Sequence, residues 1–319
     1  MVDPDVLARA MAAAVNDVVT VAELTKAEVS PRFAQRMVAR GRWQRVARGT
    51  YVTHTRPLTN LELARAAAAY VDGRCIVTGL LVLDLHNARW LPTWRNVHVL
   101  VPEDVRRPSS LRVRVSRSKA FDAIDTWTMG ELRFASTPQA VIDAARCTRT
   151  LRDVRGIVLA AVADKLATAA ELSTILDAGQ RNGSALTRRA IGDATRGCAS
   201  PPEAELVDAM IGRGMPFLVN PEIWLDGVRL GFADVWLVGT AVGGEVESDE
   251  RHGDEEGRTA TYDRHERFAD GGLELVHLSV ARIRRNVVAA AVHLLGRAAS
   301  SVAPVPAGLV VVPHGPVLR

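Results

Sequence analysis

The chain has 319 residues, 48% of them apolar, with a formal net charge of +4 and a pI near 9.3. That length calls for two or three domains with real cores. The longest apolar runs, Ile157 to Ala163 and Val287 to Leu295, fall well short of a bilayer span, so a soluble protein is expected.

Charge is unevenly spread: arginine is concentrated in the first two thirds and acid around residues 245 to 256. An arginine-rich surface suits phosphate partners, and equally a plain solvated face. Cys75, Cys147 and Cys198 lie far apart, which excludes a disulfide framework and a CxxC metal knuckle and fits a reducing cytoplasm. Asp3 and Asp5 stand where a signal peptide would carry basic residues, so none is expected.

Residues 1–55 read as a compact helical unit with a hairpin. Thr20-Val21-Ala22-Glu23 is a capping box that starts a short helix. Ser30-Pro31 starts a second, with serine as cap and proline at the first helical position, and Gly41 ends it. Phe33, Met37 and Val38 fall on its core face, leaving Arg32, Gln35, Arg36 and Arg40 outside. Trp43 to Val46 and Thr50 to Val52, separated by Arg48-Gly49, predict a β-hairpin.

Two short helices and a basic hairpin are the pattern of a winged helix-turn-helix, in which Arg32, Gln35 and Arg36 face base edges while Arg42, Arg45 and Arg48 lie nearer phosphates. The same layout also serves protein docking, so a nucleic acid and a protein both stand as partners. The stretch Val19 to Val52, ending Gly-Arg-Trp-Gln-Arg-Val-Ala-Arg-Gly-Thr-Tyr, resembles the antitoxin domain of the AbiEi family of bacterial type IV toxin-antitoxin systems. The resemblance implies a winged helix that binds operator DNA, with a cognate toxin as a further partner.

Residues 56–195 read as a middle α/β unit: a helix from Leu61 to Ala69, and strands at Cys75–Thr78, Val97–Val101 and Leu111–Val115. In the last, Leu111, Val113 and Val115 alternate with Arg112 and Arg114, as on the wet face of an antiparallel sheet. Thr137-Pro138 and the box Thr168 to Glu171 start further helices. Ser136 to Arg146 also resembles the region that follows the winged helix in AbiEi-like proteins. Asp84, His86 and His98 are isolated and read as structural. Gln180 to Cys198, with three glycines, is the candidate linker.

Residues 200–298 predict the order helix, three strands, helix, strand, helix. Ser200-Pro201 caps the first helix, Asp226-Gly227 joins two strands as a hairpin, and Ser279 caps the last helix. In the acidic stretch after the third strand, Glu245 and Glu247 share a face roughly 7 Å apart, able to address one hydrated cation, with Asp234 as a third ligand from a neighbouring strand. Residues 299–319, rich in proline and valine, read as a disordered tail.

This order, with Ser200-Pro201-Pro202-Glu203, Asp234, Glu245-Val246-Glu247-Ser248 and His252, resembles the Vsr-like branch of the PD-(D/E)XK nucleases. The resemblance implies a restriction-endonuclease-like domain and a magnesium (Mg2+) site on Asp234, Glu245 and Glu247. In it Glu203 completes the acidic cluster and His252 moves a proton. Glu-x-Glu stands here where that family has Glu-x-Asp, and no lysine follows Glu245 by two. The expectation is therefore a mixed α/β (α+β) protein with one of two functions: a magnesium-dependent DNA endonuclease targeted by its winged helix, or a non-catalytic DNA-binding regulator of the antitoxin kind.

Overall fold

The computed structural model describes residues 3–89, 91–179, 183–247, 255–301 and 304–319, apart from the side chains of 255–262. Its chain divides into two units, residues 1–149 with 164–184, and residues 150–163 with 185–319.

The first unit opens with α1 (Pro4–Ala12), β1 (Val18–Thr20), α2 (Val21–Lys26), α3 (Pro31–Ala39), β2 (Gln44–Ala47) and β3 (Thr50–Val52), the strands ordered β1-β3-β2. Thr20 ends β1 and caps α2, because one extended residue serves both: its backbone N–H donates to Glu23 Oε2 at 2.6 Å and its hydroxyl accepts from Glu23 N at 3.3 Å. Ser30 caps α3, with Pro31 at the first turn. Leu24, Phe33, Met37, Trp43 and Tyr51 form the core between helices and hairpin, Phe33 meeting Trp43 edge-on at 5.8 Å. The two helices and the hairpin expected of a winged helix-turn-helix are present. The sequence reading missed α1, capped by Asp3, and β1, whose three residues are too few to show a period.

The chain continues with α4 (Asn60–Tyr70), β4 (Ile76–Thr78), α5 (Leu80–Leu85), β5 (Val97–Pro102), β6 (Val113–Ser118), β7 (Thr126–Met129), β8 (Leu132–Ala135) and α6 (Thr137–Arg146). The five strands form one mixed sheet of order β6-β5-β4-β8-β7. β6 starts two residues later than the alternation suggested: Leu111 has φ +44° and is exposed, outside the strand. Arg112 N donates to Val46 O at 3.1 Å and Ser110 Oγ accepts from Arg48 N at 2.9 Å, so this turn holds the tip of the β2–β3 hairpin.

The chain then enters the second unit for α7 (Leu151–Ala163), returns to the first for α8 (Ala169–Ala178), and re-enters the second with α9 (Ala185–Thr195). The expected boundary near residue 195 differs from this division, and α9 occupies most of the expected linker. The reason is pairing: buried Arg155 on α7 donates to Asp193 on α9 at 2.8 Å and also binds Asp208. An ion pair between segments 38 residues apart leaves no trace in a local window.

The second unit continues with α10 (Pro201–Met210), β9 (Phe217–Val219), β10 (Glu222–Leu225), β11 (Val228–Phe232), β12 (Val235–Leu237), β13 (Val242–Glu247), α11 (Glu255–Asp270), β14 (Glu274–Ser279), α12 (Val280–Arg285), α13 (Val287–Ser300) and β15 (Leu309–Val312). A four-stranded sheet, β14-β13-β12-β9, is antiparallel except for the parallel pair β13–β14. A separate three-stranded sheet has the order β11-β10-β15. Asp226-Gly227 joins β10 to β11 as expected, with φ +50° and +78°, the double left-handed turn that suits a hairpin.

The strands expected on either side of the Asp226-Gly227 hairpin are each split between the sheets, as β9 with β10 and β11 with β12. At Asn220-Pro221 the chain takes a left-handed residue and then one without a ladder donor, which breaks β9 from β10. The tail also departs from expectation: β15 pairs with β10, from Glu222↔Val312 to Leu225↔Leu309. Leu309 and Val311 pack toward Ile223, Trp236 and Phe268 while Val310 and Val312 stay exposed. The composition that read as disorder contains a period-two strand.

Candidate functional site

In α3, Phe33, Ala34 and Met37 turn inward, and the helical period therefore turns Arg32, Gln35, Arg36 and Arg40 outward; all four are exposed, as are Arg42, Arg45 and Arg48. Arg36 leans over the Phe33 ring at 5.9 Å. Among the described residues no carboxylate forms an ion pair with any of these six arginines, whereas Arg56, Arg74, Arg89 and Arg107 of the same unit are each paired to an acid. The helix and hairpin thus carry a row of unneutralised guanidinium groups. The hydrogen bonds that the hairpin makes with Ser110 and Arg112 fix that end of the row.

The acidic stretch is positioned by Gly243 and Gly244. A Cβ at Gly243 would lie 2.7 Å from the Trp236 ring, and one at Gly244 2.8 Å from Leu294, so glycine lets layers close on both faces of β13. Val235 pairs with Gly244, and one step further the antiparallel register sets Asp234 opposite Glu245 on the same face. Both are buried. Asp234 Oδ2 accepts from Val246 N at 2.6 Å. One oxygen of Glu245 accepts from Arg264 of α11, and the other, Oε2, is buried without a hydrogen-bond partner.

The other predicted members have hydrogen-bond and ion-pair partners of their own. Glu203 is buried at the start of α10, its carboxylate accepting from Ala199 N at 2.8 Å, Ser200 Oγ at 2.7 Å and Asn220 Nδ2 at 3.2 Å, which makes it part of the helix cap. Glu247 Oε1 lies 2.8 Å from His277 Nδ1 of β14, and the His265 ring of α11 stands 4.3 Å from the His277 ring. Glu247, His265 and His277 each offer a ligand atom within 4.8 Å of the others. Burial, then His277 and Arg264, lowers the His265 pKa against the opposing pull of Glu247. His252 lies outside the described residues.

The predicted acids therefore differ in their partners. Asp234 and Glu245 form one pair, Glu247 turns to two histidines, and Glu203 serves a cap. Asp234 and Glu245 fit a hard dication, which takes carboxylate oxygens and keeps waters, and the orphaned Glu245 Oε2 is the kind of atom such an ion satisfies. Arg264, His265 and His277 were missed by sequence reasoning. The signal that finds them is the parallel register, which sets His277 beside Glu245, and it exists only once β13 and β14 are known to be neighbours.

A cleft of about 420 Å3 is lined by His265, Glu274, His277 and Ser301 among apolar groups that include Leu273 and Leu275. Among the described residues no helix is long and apolar enough to cross a membrane.

No curated protein matches the chain. Among solved structures, the crystal structure of the RV2827C protein from Mycobacterium tuberculosis is similar at 16% identity, over 63% of this chain and 78% of that one, with a TM-score of 0.36. The N-terminal part, residues 8–54, matches the family model of the AbiEi antitoxin type of transcriptional regulator.

Proposed function

We propose that the chain is a DNA-binding regulator of the antitoxin kind. The observation that carries this reading is the exposed, unpaired row on α3 and the hairpin, within the residues that match the regulator model. α3 enters the major groove, with Arg32, Gln35 and Arg36 toward base edges; Arg40, Arg42, Arg45 and Arg48 neutralise phosphates. A cognate toxin is the protein partner this reading implies. In a gel shift with the DNA upstream of its own gene, the double variant Arg32→Ala, Arg36→Ala should bind at least ~10-fold more weakly, since a base-edge contact is worth roughly 1–3 kcal/mol. Unaltered affinity would reject this placement.

A second reading, magnesium-dependent hydrolysis of DNA phosphodiesters by the second unit, is supported by Asp234 and Glu245 facing one another with Glu245 Oε2 unpartnered. Magnesium on that pair would activate water and draw in the phosphate. The regulator reading is preferred because Arg264 already neutralises Glu245, while Glu203 and Glu247 are engaged elsewhere. A plasmid-nicking assay with magnesium should show no cleavage by the wild type. Cleavage lost in both Asp234→Ala and Glu245→Ala would establish the nuclease instead.

A further inference from the structure

Glu247 and the two histidines beside it form a group of their own. Glu247 closes β13, His277 lies on the parallel neighbour β14, and His265 reaches in from α11, so three separate elements converge on one point. The donor set is one carboxylate and two imidazoles. Hard cations such as magnesium and calcium prefer all-oxygen sites, whereas a His2Glu set suits borderline ions and is one of the known arrangements for zinc.

Three observations separate this group from an ordinary ion pair. Two imidazoles stand with centroids 4.3 Å apart, an arrangement that gains little by itself and disfavours protonation of both rings. His265 Nε2 is buried without a hydrogen-bond partner, so part of that ring's bonding capacity is unmet by protein. Glu247 and His277 are each 39% exposed, and the cleft lined by His265 and His277 gives an ion a way in.

The dimensions are close to those of a filled site. Ligand atoms around a tetrahedral zinc at about 2.0–2.2 Å stand roughly 3.3 Å apart. Glu247 Oε1 and His277 Nδ1 are already within 2.8 Å, and all three ligand atoms within 4.8 Å, so side-chain rotations of an ångström or so complete the geometry.

A second grouping with suitable spacing, Asp17, His54 and Glu62, fails the same test. Arg56 donates to both Glu62 oxygens and pairs with Asp17, and the Thr59 N–H also binds Glu62. A guanidinium already supplies the positive charge there. At Glu247 no arginine does so among the described residues; Arg264 is committed to Glu245.

We propose that Glu247, His265 and His277 bind a borderline divalent metal ion, zinc being the best match, with an open coordination position toward the cleft. Three protein ligands beside an open cleft is the donor count of a zinc site that keeps water or a small ligand, rather than of a closed structural one. The site stands independently of the DNA contacts of the first unit, and its failure would leave the regulator reading untouched.

The test uses the full-length, untagged chain freed of metal by a chelator, titrated with zinc chloride against a chromophoric competitor. The wild type should take up one tight equivalent per chain, unaffected by millimolar magnesium. His265→Ala and His277→Ala should each weaken uptake by at least ~100-fold, because losing a ligand costs more than the 10–100-fold typical of losing a supporting hydrogen bond. His54→Ala should leave it unchanged. Circular dichroism of the metal-free variants checks folding, and cobalt substitution of the wild type should give visible absorption bands of a nitrogen- and oxygen-ligated ion. Absence of a stoichiometric equivalent in the wild type, or wild-type affinity in either histidine variant, overturns the proposal.

Discussion

His98 carries a ring that burial, and then the charge of Arg114, keeps from protonating, its pKa pushed down to about 3. Its Nε2 lies 2.9 Å from Ser116 Oγ, and its Nδ1 lies 3.7 Å from Cys147 Sγ. Thr78, which precedes the glycine packed on His98, donates to Asp143 at 2.7 Å. Reading His98 as structural from the sequence agrees with this burial, but these partners come from separate elements and no local pattern joins them. Below the usual histidine pKa of 6.5 the unfolded chain binds a proton that the folded chain refuses until about pH 3. His98 thus costs nothing above pH 6.5 and progressively destabilises the fold as pH falls, by about 2 kcal/mol at pH 5. Urea unfolding across this range should show a steeper loss of stability in the wild type than in His98→Gln; parallel curves would show that the ring is not held neutral.

Among the elements, those fixed by neighbours in sequence were legible. The boxes Thr20–Glu23 and Thr168–Glu171 and the caps Ser30, Ser200 and Ser279 all start helices where expected, because each bond closes within three residues. Elements defined by distant partners were not. The strands around Asn220 change sheets, and β15 exists because β10 offers it a ladder. β13 shows both influences: its glycines were visible, and the reason for them was not. Gly243 faces Trp236 and Leu275, neither of which can withdraw far, so Gly243→Ala should destabilise the second unit by roughly 1–3 kcal/mol through overpacking. Thermal unfolding of this variant reads the effect; Gly239→Ala, at a turn with open space but φ +79°, serves as a contrast in which backbone strain acts without a clash.

Across the whole molecule, the residue types of the candidate site are visible in the sequence and their partners are not. Acid types, order and spacing in the sequence indicated a cation site, and Asp234 and Glu245 do meet on one face. Glu203 and Glu247 were grouped with them because a sequence shows which residues can bind a cation, but not which alternative partners lie closer. Asn220 and the α10 cap take one, and two histidines take the other. The exposure of the α3 row follows from the sequence because helix period alone decides which side chains face out.

α7 gives the molecule a property that no separate inspection of its units reveals. Because the second unit borrows residues 150–163 before the first is finished, its stability has to be inherited from both sides of an intervening segment. A gene fragment beginning at residue 185 would leave Asp193 and Asp208 without Arg155, while one beginning at 150 would keep them paired and carry 164–184 as a passenger. The shorter fragment should be recovered unfolded and the longer one folded, as circular dichroism and protease resistance would report. On a ribosome the same threading imposes an order of events: α7 emerges early and must wait, its apolar face uncovered, until α9 and α10 have been made.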